Sequence, residues 1–160
     1  MAIRNIMNYQ KDDILRKKSR TVEKIDDRII TILDDMAETM YQANGAGLAA
    51  VQVGILKKLV VIDAGECLIK LINPKIVSSY GEQQEIEGCL SIPGIYGTVK
   101  RPMQVEVSAL NENGDSVMLK GTGLLARALC HEIDHLDGIL FIDKASPESL
   151  YNSGSSNERE

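Results

Sequence analysis

Tryptophan is absent from this 160-residue chain and phenylalanine occurs once. Aromatic platforms for single-stranded nucleic acid are therefore scarce. The formal net charge of −5 argues against a broad phosphate-binding surface and leaves room only for a local basic patch. Direct nucleic-acid readout is not expected. No run is long and apolar enough to span a bilayer, so no membrane partner is expected either. The first twenty residues are mixed and charged, without an apolar stretch of signal-peptide type. Export is not expected, and a cytoplasmic location is. The three cysteines, Cys67, Cys89 and Cys130, cannot all pair within one chain. Without a secretion signal they read as free thiols or metal ligands.

What remains is ordinary for a globular domain. Apolar residues make up 44% and charged residues 26%, and the length suits one domain with one core. Lys11 to Lys18 reads as a short helix. Asp26 is placed to cap a longer one, in which Ile29, Ile30, Leu33, Met36, Ala37 and Met40 recur at helical spacing. Asn44-Gly45 supplies its stop. Residues 58–63 and 67–72 read as strands, the second ended by Asn73-Pro74, with another over 75–79. Residues 103–110 and 116–120 flank a turn-rich joint and predict an antiparallel hairpin. Thr122 is the expected cap of a last helix ending at Leu136, before Asp137-Gly138. Residues 139–142 form a short apolar stretch. The order of elements predicts an α+β fold of mostly antiparallel short strands around a C-terminal metal-binding helix. Residues 1–145 would be the catalytic domain, and the polar segment 146–160 a disordered tail.

The strongest local signal is His131-Glu132-Ile133-Asp134-His135. The two histidines are the only ones in the chain. Four residues apart on a helix, both imidazoles face one ion. Glu132 stands beside the first and can act as a base toward a water there. Such a site usually has a third protein ligand and an open position. Asp134 and Asp137 are nearby candidates. Cys130 points about 100° away around the helix and reads as a buried small side chain; Cys67 reads as strand core. Cys89 differs, because Gly88 before it permits another backbone to approach closely. The small-residue segment 45–54 matches neither a dinucleotide fingerprint nor a phosphate loop. It reads as a close-packed turn, or as a bare edge for an extended peptide, with Gln52 its one polar donor.

Together these segments resemble the peptide deformylases. That family carries Gly-x-Gly-Leu-Ala-Ala-x-Gln, matched by Gly45 to Gln52. It carries Glu-Gly-Cys-Leu-Ser, matched by Glu87 to Ser91, and His-Glu-x-x-His, matched by His131 to His135. The opening Asp13-Ile14-Leu15-Arg16 is similar too, so the likeness spans most of residues 1–145. It implies removal of the formyl group from the N-terminal formylmethionine of new bacterial proteins. It implies Cys89, His131 and His135 as metal ligands and Glu132 as acid/base. Fe(II) is the expected native metal, with Zn(II), Ni(II) or Co(II) accepted. Gln52 and the Leu90 backbone N–H would hold the oxygen that becomes negative. Leu124, Arg127, Ala128, Ile86 and Ala46 would line a methionine pocket. The peptide would run along the edges at Gly45, Gly47 and Gly88. Formylated nascent peptides are the expected partners, with at most transient ribosome contact. Three departures stand out. Val51 replaces a frequent proline, Ala46 is smaller than the frequent Val or Ile, and no long C-terminal helix of the ribosome-docking kind is evident. Two rivals remain at this stage: a metallopeptidase with the same helical motif, and a non-catalytic module closed around its metal by a fourth ligand.

Overall fold

The computed structural model describes residues 2–153. The long helix α1 (Asp27–Gln42) starts where Asp26 Oδ1 accepts a hydrogen bond from the Ile29 N–H, at 3.1 Å. Past its end Asn44 takes a positive φ of 59°, which an Asn tolerates and most residues do not. Strands β1 (Gly47–Ala49), β2 (Leu59–Asp63), β3 (Leu68–Tyr80), β6 (Gln104–Leu110) and β7 (Ser116–Thr122) form one antiparallel sheet in the order β1-β2-β3-β6-β7. A smaller sheet holds β4 (Gln83–Cys89), β5 (Ile92–Arg101) and β8 (Tyr151–Asn152), with β5 in the middle. Two helices follow β7: α2 (Leu124–Leu136) and the short α3 (Phe141–Lys144).

The apolar run of β2 explains the layering. Strand side chains alternate between faces. Leu59 and Val61 pack with Leu33, Met36 and Met40 of α1. Val60 and Ile62 pack with Ala126 and Leu129 of α2. The sheet is thus covered on both faces, and every apolar residue of β2 is buried. The fold is α+β with antiparallel sheets, as the pattern predicts.

Several boundaries differ from expectation. Lys11 to Lys18 yields only a 3-10 turn, Asp13–Arg16. Asn73-Pro74 does not end a strand: β3 continues through it, with a register shift against β6 between Ile72 and Lys75. A bulge there leaves the proline, which lacks an N–H, out of the ladder. Asn73, at φ 54°, is held by two side-chain bonds to the backbone of Val22, at 2.8 and 2.9 Å. Thr122 is the last residue of β7 rather than a cap, and α2 begins after Gly123, whose φ is 57°. Residues 139–142 lead into α3. Cys67 precedes β3 and is exposed, not core.

Residues 146–153 find partners in the second sheet. The Ser146 N–H donates to Thr98 O, Ser149 Oγ accepts from the Thr98 N–H, and Tyr151 pairs with Tyr96. The remainder of the expected tail, 154–160, lies outside the described residues.

Gly138, at the end of α2, has φ +76°, and a Cβ there would lie 2.5 Å from Arg16 O. Both the dihedral and the clash oppose any side chain. Gly138→Ala should therefore cost more than about 1 kcal/mol. That corresponds to a fall in melting temperature of at least about 2–4 °C. An unchanged thermal transition would refute this reading of the turn.

Candidate active site

Helix α2 carries both histidines on one face. His135 is fully buried and His131 nearly so. Cys89 ends β4 and places its Sγ 3.3 Å from His135 Nε2. One ligand atom from each of Cys89, His131 and His135 lies within 4.8 Å of the others. A tetrahedral ion with one thiolate at about 2.3 Å and two imidazoles at about 2.0–2.1 Å spaces its donors roughly 3.5 Å apart. The trio therefore fits one metal ion with little movement. Among the described residues it is the one such cluster of three or more donors.

The other candidates are placed elsewhere. Asp134 accepts a hydrogen bond from Arg101 Nη1, at 2.7 Å, and pairs with Lys144 Nζ at 3.0 Å. Asp137 is the exposed C-cap of α2. Cys130 is buried, and burial pushes its thiol up to about 11. That disfavours the thiolate a metal requires.

His131 Nδ1 lies 3.1 Å from Glu87 Oε1. This orients the ring and directs Nε2 toward the Cys89 side. Burial favours the neutral imidazole of His131. The charge of Glu132 and the hydrogen bonds to Cys89 and Glu87 outweigh it and hold its pKa well above the ordinary value. His135 is driven well below that value by burial and by the charge of His131, and a neutral ring is the form that binds metal.

Glu132 faces the same space without joining the trio. Burial raises its carboxyl to about 7, where a proton acceptor is most effective at neutral pH. Its Oε1 is buried and accepts no hydrogen bond from the described residues. On Gly47, a Cβ would sit 2.6 Å from Glu132 Oε2, so this carboxylate depends on a bare backbone in β1. Gln52 is also buried. Its Oε1 accepts from the Ala49 N–H at 3.0 Å, which aims Nε2 at Ser91 Oγ, 3.1 Å away, and Cys89 Sγ, 3.5 Å away.

Gln52, Cys89, His131 and Glu132 border a cleft of about 510 Å³. Gly45, Ala46 and Gly47 line one side, Ile86, Gly88 and Leu90 another, and Leu124, Arg127 and Ala128 of α2 a third. All residues expected at the substrate pocket therefore border one space. Tyr96 borders it too and was not foreseen. Its ring packs against Gly88, where a Cβ would lie 2.6 Å from Cε1, and stacks on Tyr151 with centroids 5.7 Å apart.

The Glu87–Arg101–Asp134 network was also missed. Arg101 is almost completely buried and donates from Nε and Nη2 to the two oxygens of Glu87, each at 3.0 Å. Its Nη1 reaches Asp134. The only sequence signal was a carboxylate two residues before the thiol, inside a strand.

Burial alone would raise the Glu87 carboxyl, but the bonds from His131 and Arg101 bring it down to about 2. A carboxyl depressed on folding adds stability above its unfolded pKa, near 4.5, and loses it as pH falls toward 2. Glu87→Gln should destabilise the metal-free protein by about 3 kcal/mol at pH 7. Urea unfolding at a series of pH values should show that gap closing between pH 4.5 and 2. A gap independent of pH would contradict the assignment.

The polypeptide deformylase family profile matches residues 3–150. Over 144 residues the chain is 64% identical to a peptide deformylase of Acetivibrio thermocellus, covering 90% of this chain and 84% of that one. It is 61% identical to one from Alkaliphilus metalliredigens, covering 92% and 100%. Among solved structures, a peptide deformylase from Legionella pneumophila superposes with a TM-score of 0.87 at 47% identity, over 92% of this chain and 88% of that one. The Thermotoga maritima peptide deformylase gives 0.89 at 37%, over 92% and 100%. With the profile running through both sheets and α2, the chain belongs to the peptide deformylase family, divalent-metal hydrolases that remove the N-formyl group from nascent peptides.

Proposed function

We propose that Cys89, His131 and His135 hold the metal and that Glu132, Gln52 and Leu90 carry the reaction. The observation that supports this most is the meeting of one thiol and two imidazoles beside the buried Glu132 carboxyl, with Cys89, His131 and Glu132 bordering the cleft. A divalent ion held there would supply Lewis acidity and lower the pKa of a water toward about 7. Glu132 Oε1 would accept a proton from the attacking water as the water oxygen adds to the formyl carbon. The same carboxyl then delivers the proton to the departing amine nitrogen. The C–N bond breaks, and formate and a free N-terminal methionine leave. The former carbonyl oxygen gains negative charge during the addition. Gln52 Nε2 and the Leu90 backbone N–H donate to it. Each such donor is worth about 3–4 kcal/mol in the transition state.

Recognition divides between side chain and backbone. Leu124, Ala128, Ile86, Ala46 and the aliphatic stem of Arg127 enclose the methionine side chain. The peptide backbone lies extended beside Gly45, Gly47 and Gly88, where contacts do not depend on later side chains. That suits an enzyme acting on many nascent chains. Fe(II) is the resident ion in this reading, and the same sulfur and nitrogen donors accept Zn(II), Ni(II) or Co(II). We place the activity in residues 1–145, in the cytoplasm, with transient ribosome contact and no base readout. No helix among the described residues is long and apolar enough to cross a membrane. A metallopeptidase would take its third ligand from a downstream carboxylate or histidine, whereas here the thiol that meets the two imidazoles lies upstream of them. A closed structural site would need a fourth donor, and neither Cys67 nor Cys130 joins the group.

Glu132→Ala should keep the metal content of the wild type. It should release formate from formyl-Met-Ala at least about 100-fold more slowly. Wild-type turnover in that variant would remove Glu132 from its role.

A further inference from the structure

We infer that Gln83 is a positioning residue for the methionine pocket, acting through Arg127; this rests on the deformylase reading above. Arg127 is an unusual wall. It is long, flexible and charged, and its methylenes line the cleft only if its guanidinium is held elsewhere. Gln83, the first residue of β4, is buried. Its Nε2 donates to Pro102 O at 3.0 Å and to Gly123 O at 2.9 Å. Both N–H groups are thereby committed, which fixes the amide orientation: a flipped amide would set Oε1 against two carbonyl oxygens. Oε1 is left facing Arg127 and accepts from its Nη1 at 2.8 Å.

The seat is built from the start of α2 itself. Gly123 O also accepts the Arg127 N–H, at 3.1 Å, in the first turn. One carbonyl therefore fixes Gln83 relative to the turn that carries Leu124, Arg127 and Ala128. Held at its tip, the Arg127 stem stays along the wall. Released, it would sample the cleft, and each binding event would have to order it again. Ordering one long side chain costs on the order of two- to tenfold in affinity. The tether acts before chemistry, so it should appear in KM and not in kcat.

The test is steady-state formate release from formyl-Met-Ala by the metal-loaded enzyme, in both the Arg127 and Arg127→Met backgrounds. Gln83→Ala should raise KM about fivefold with kcat within about twofold. In the Arg127→Met background, which has no guanidinium to hold, the same change should alter KM less than about twofold. Gln83→Leu fills a similar space without an acceptor for Arg127. It should raise KM about fivefold in the Arg127 background and less than about twofold in the Arg127→Met background. This variant serves the same test if Gln83→Ala folds poorly. An equal rise in KM in both backgrounds would reduce Gln83 to a structural residue and overturn the inference. An unchanged KM in Gln83→Ala, or in a folded Gln83→Leu, would do the same. A wild-type enzyme that releases no formate would overturn the deformylase reading together with this one.

Discussion

The guanidinium of Arg101 joins the two halves of the site. It comes from β5, clasps Glu87 on β4 with two hydrogen bonds, and reaches Asp134 on α2 with a third. Glu87 lies two residues before Cys89, and Asp134 lies between the two histidines. The small sheet that supplies the thiol is thereby registered against the helix that supplies the imidazoles. Burying three charges is expensive, and a packed apolar cluster could be as stable. An apolar cluster would not turn one carboxylate oxygen toward His131 Nδ1, as Glu87 does. The network's contribution is alignment of donors that no local element could bring together.

Around that frame the site uses small residues and fixed amides. Gly47 leaves space for Glu132, and Gly88 leaves space for the Tyr96 ring. Gln52 is held by the backbone of its own turn, so its donor group faces the thiol without help from the substrate. Donors oriented in advance need not reorganise as charge develops. The carboxyl of Glu132 is raised by burial against the pull of His131. One environment thus supplies both a proton acceptor and the neutral His135.

Local patterns carried much of the fold. Helix α1, strand β2 and the β6–β7 hairpin were legible because periodicity, the Asp26 cap and turn residues are properties of short windows. Strand β3 was broken wrongly at Asn73, since the bulge there is held by Val22, 51 residues away. Strands β4 and β5 escaped notice for a related reason. In β4 Ile86 is exposed and Glu87 buried, the reverse of the usual alternation. Departures from local rules concentrate where structure serves a site. The paired histidines and Glu132 could be read from helical spacing. The third donor could not: Asp134, Asp137 and Cys89 stayed open until the family likeness singled out the thiol. The structure shows what spacing hides, namely that Arg101 and Lys144 already occupy Asp134.

The account stands on one convergence of sulfur and nitrogen around an ion. X-ray absorption at the metal edge of the Zn(II)-loaded protein tests it directly. The expected first shell holds one sulfur at about 2.3 Å and two imidazole nitrogens at about 2.0–2.1 Å, completed by a light atom exchangeable with solvent. A shell without sulfur, or one closed by a second sulfur, would contradict it.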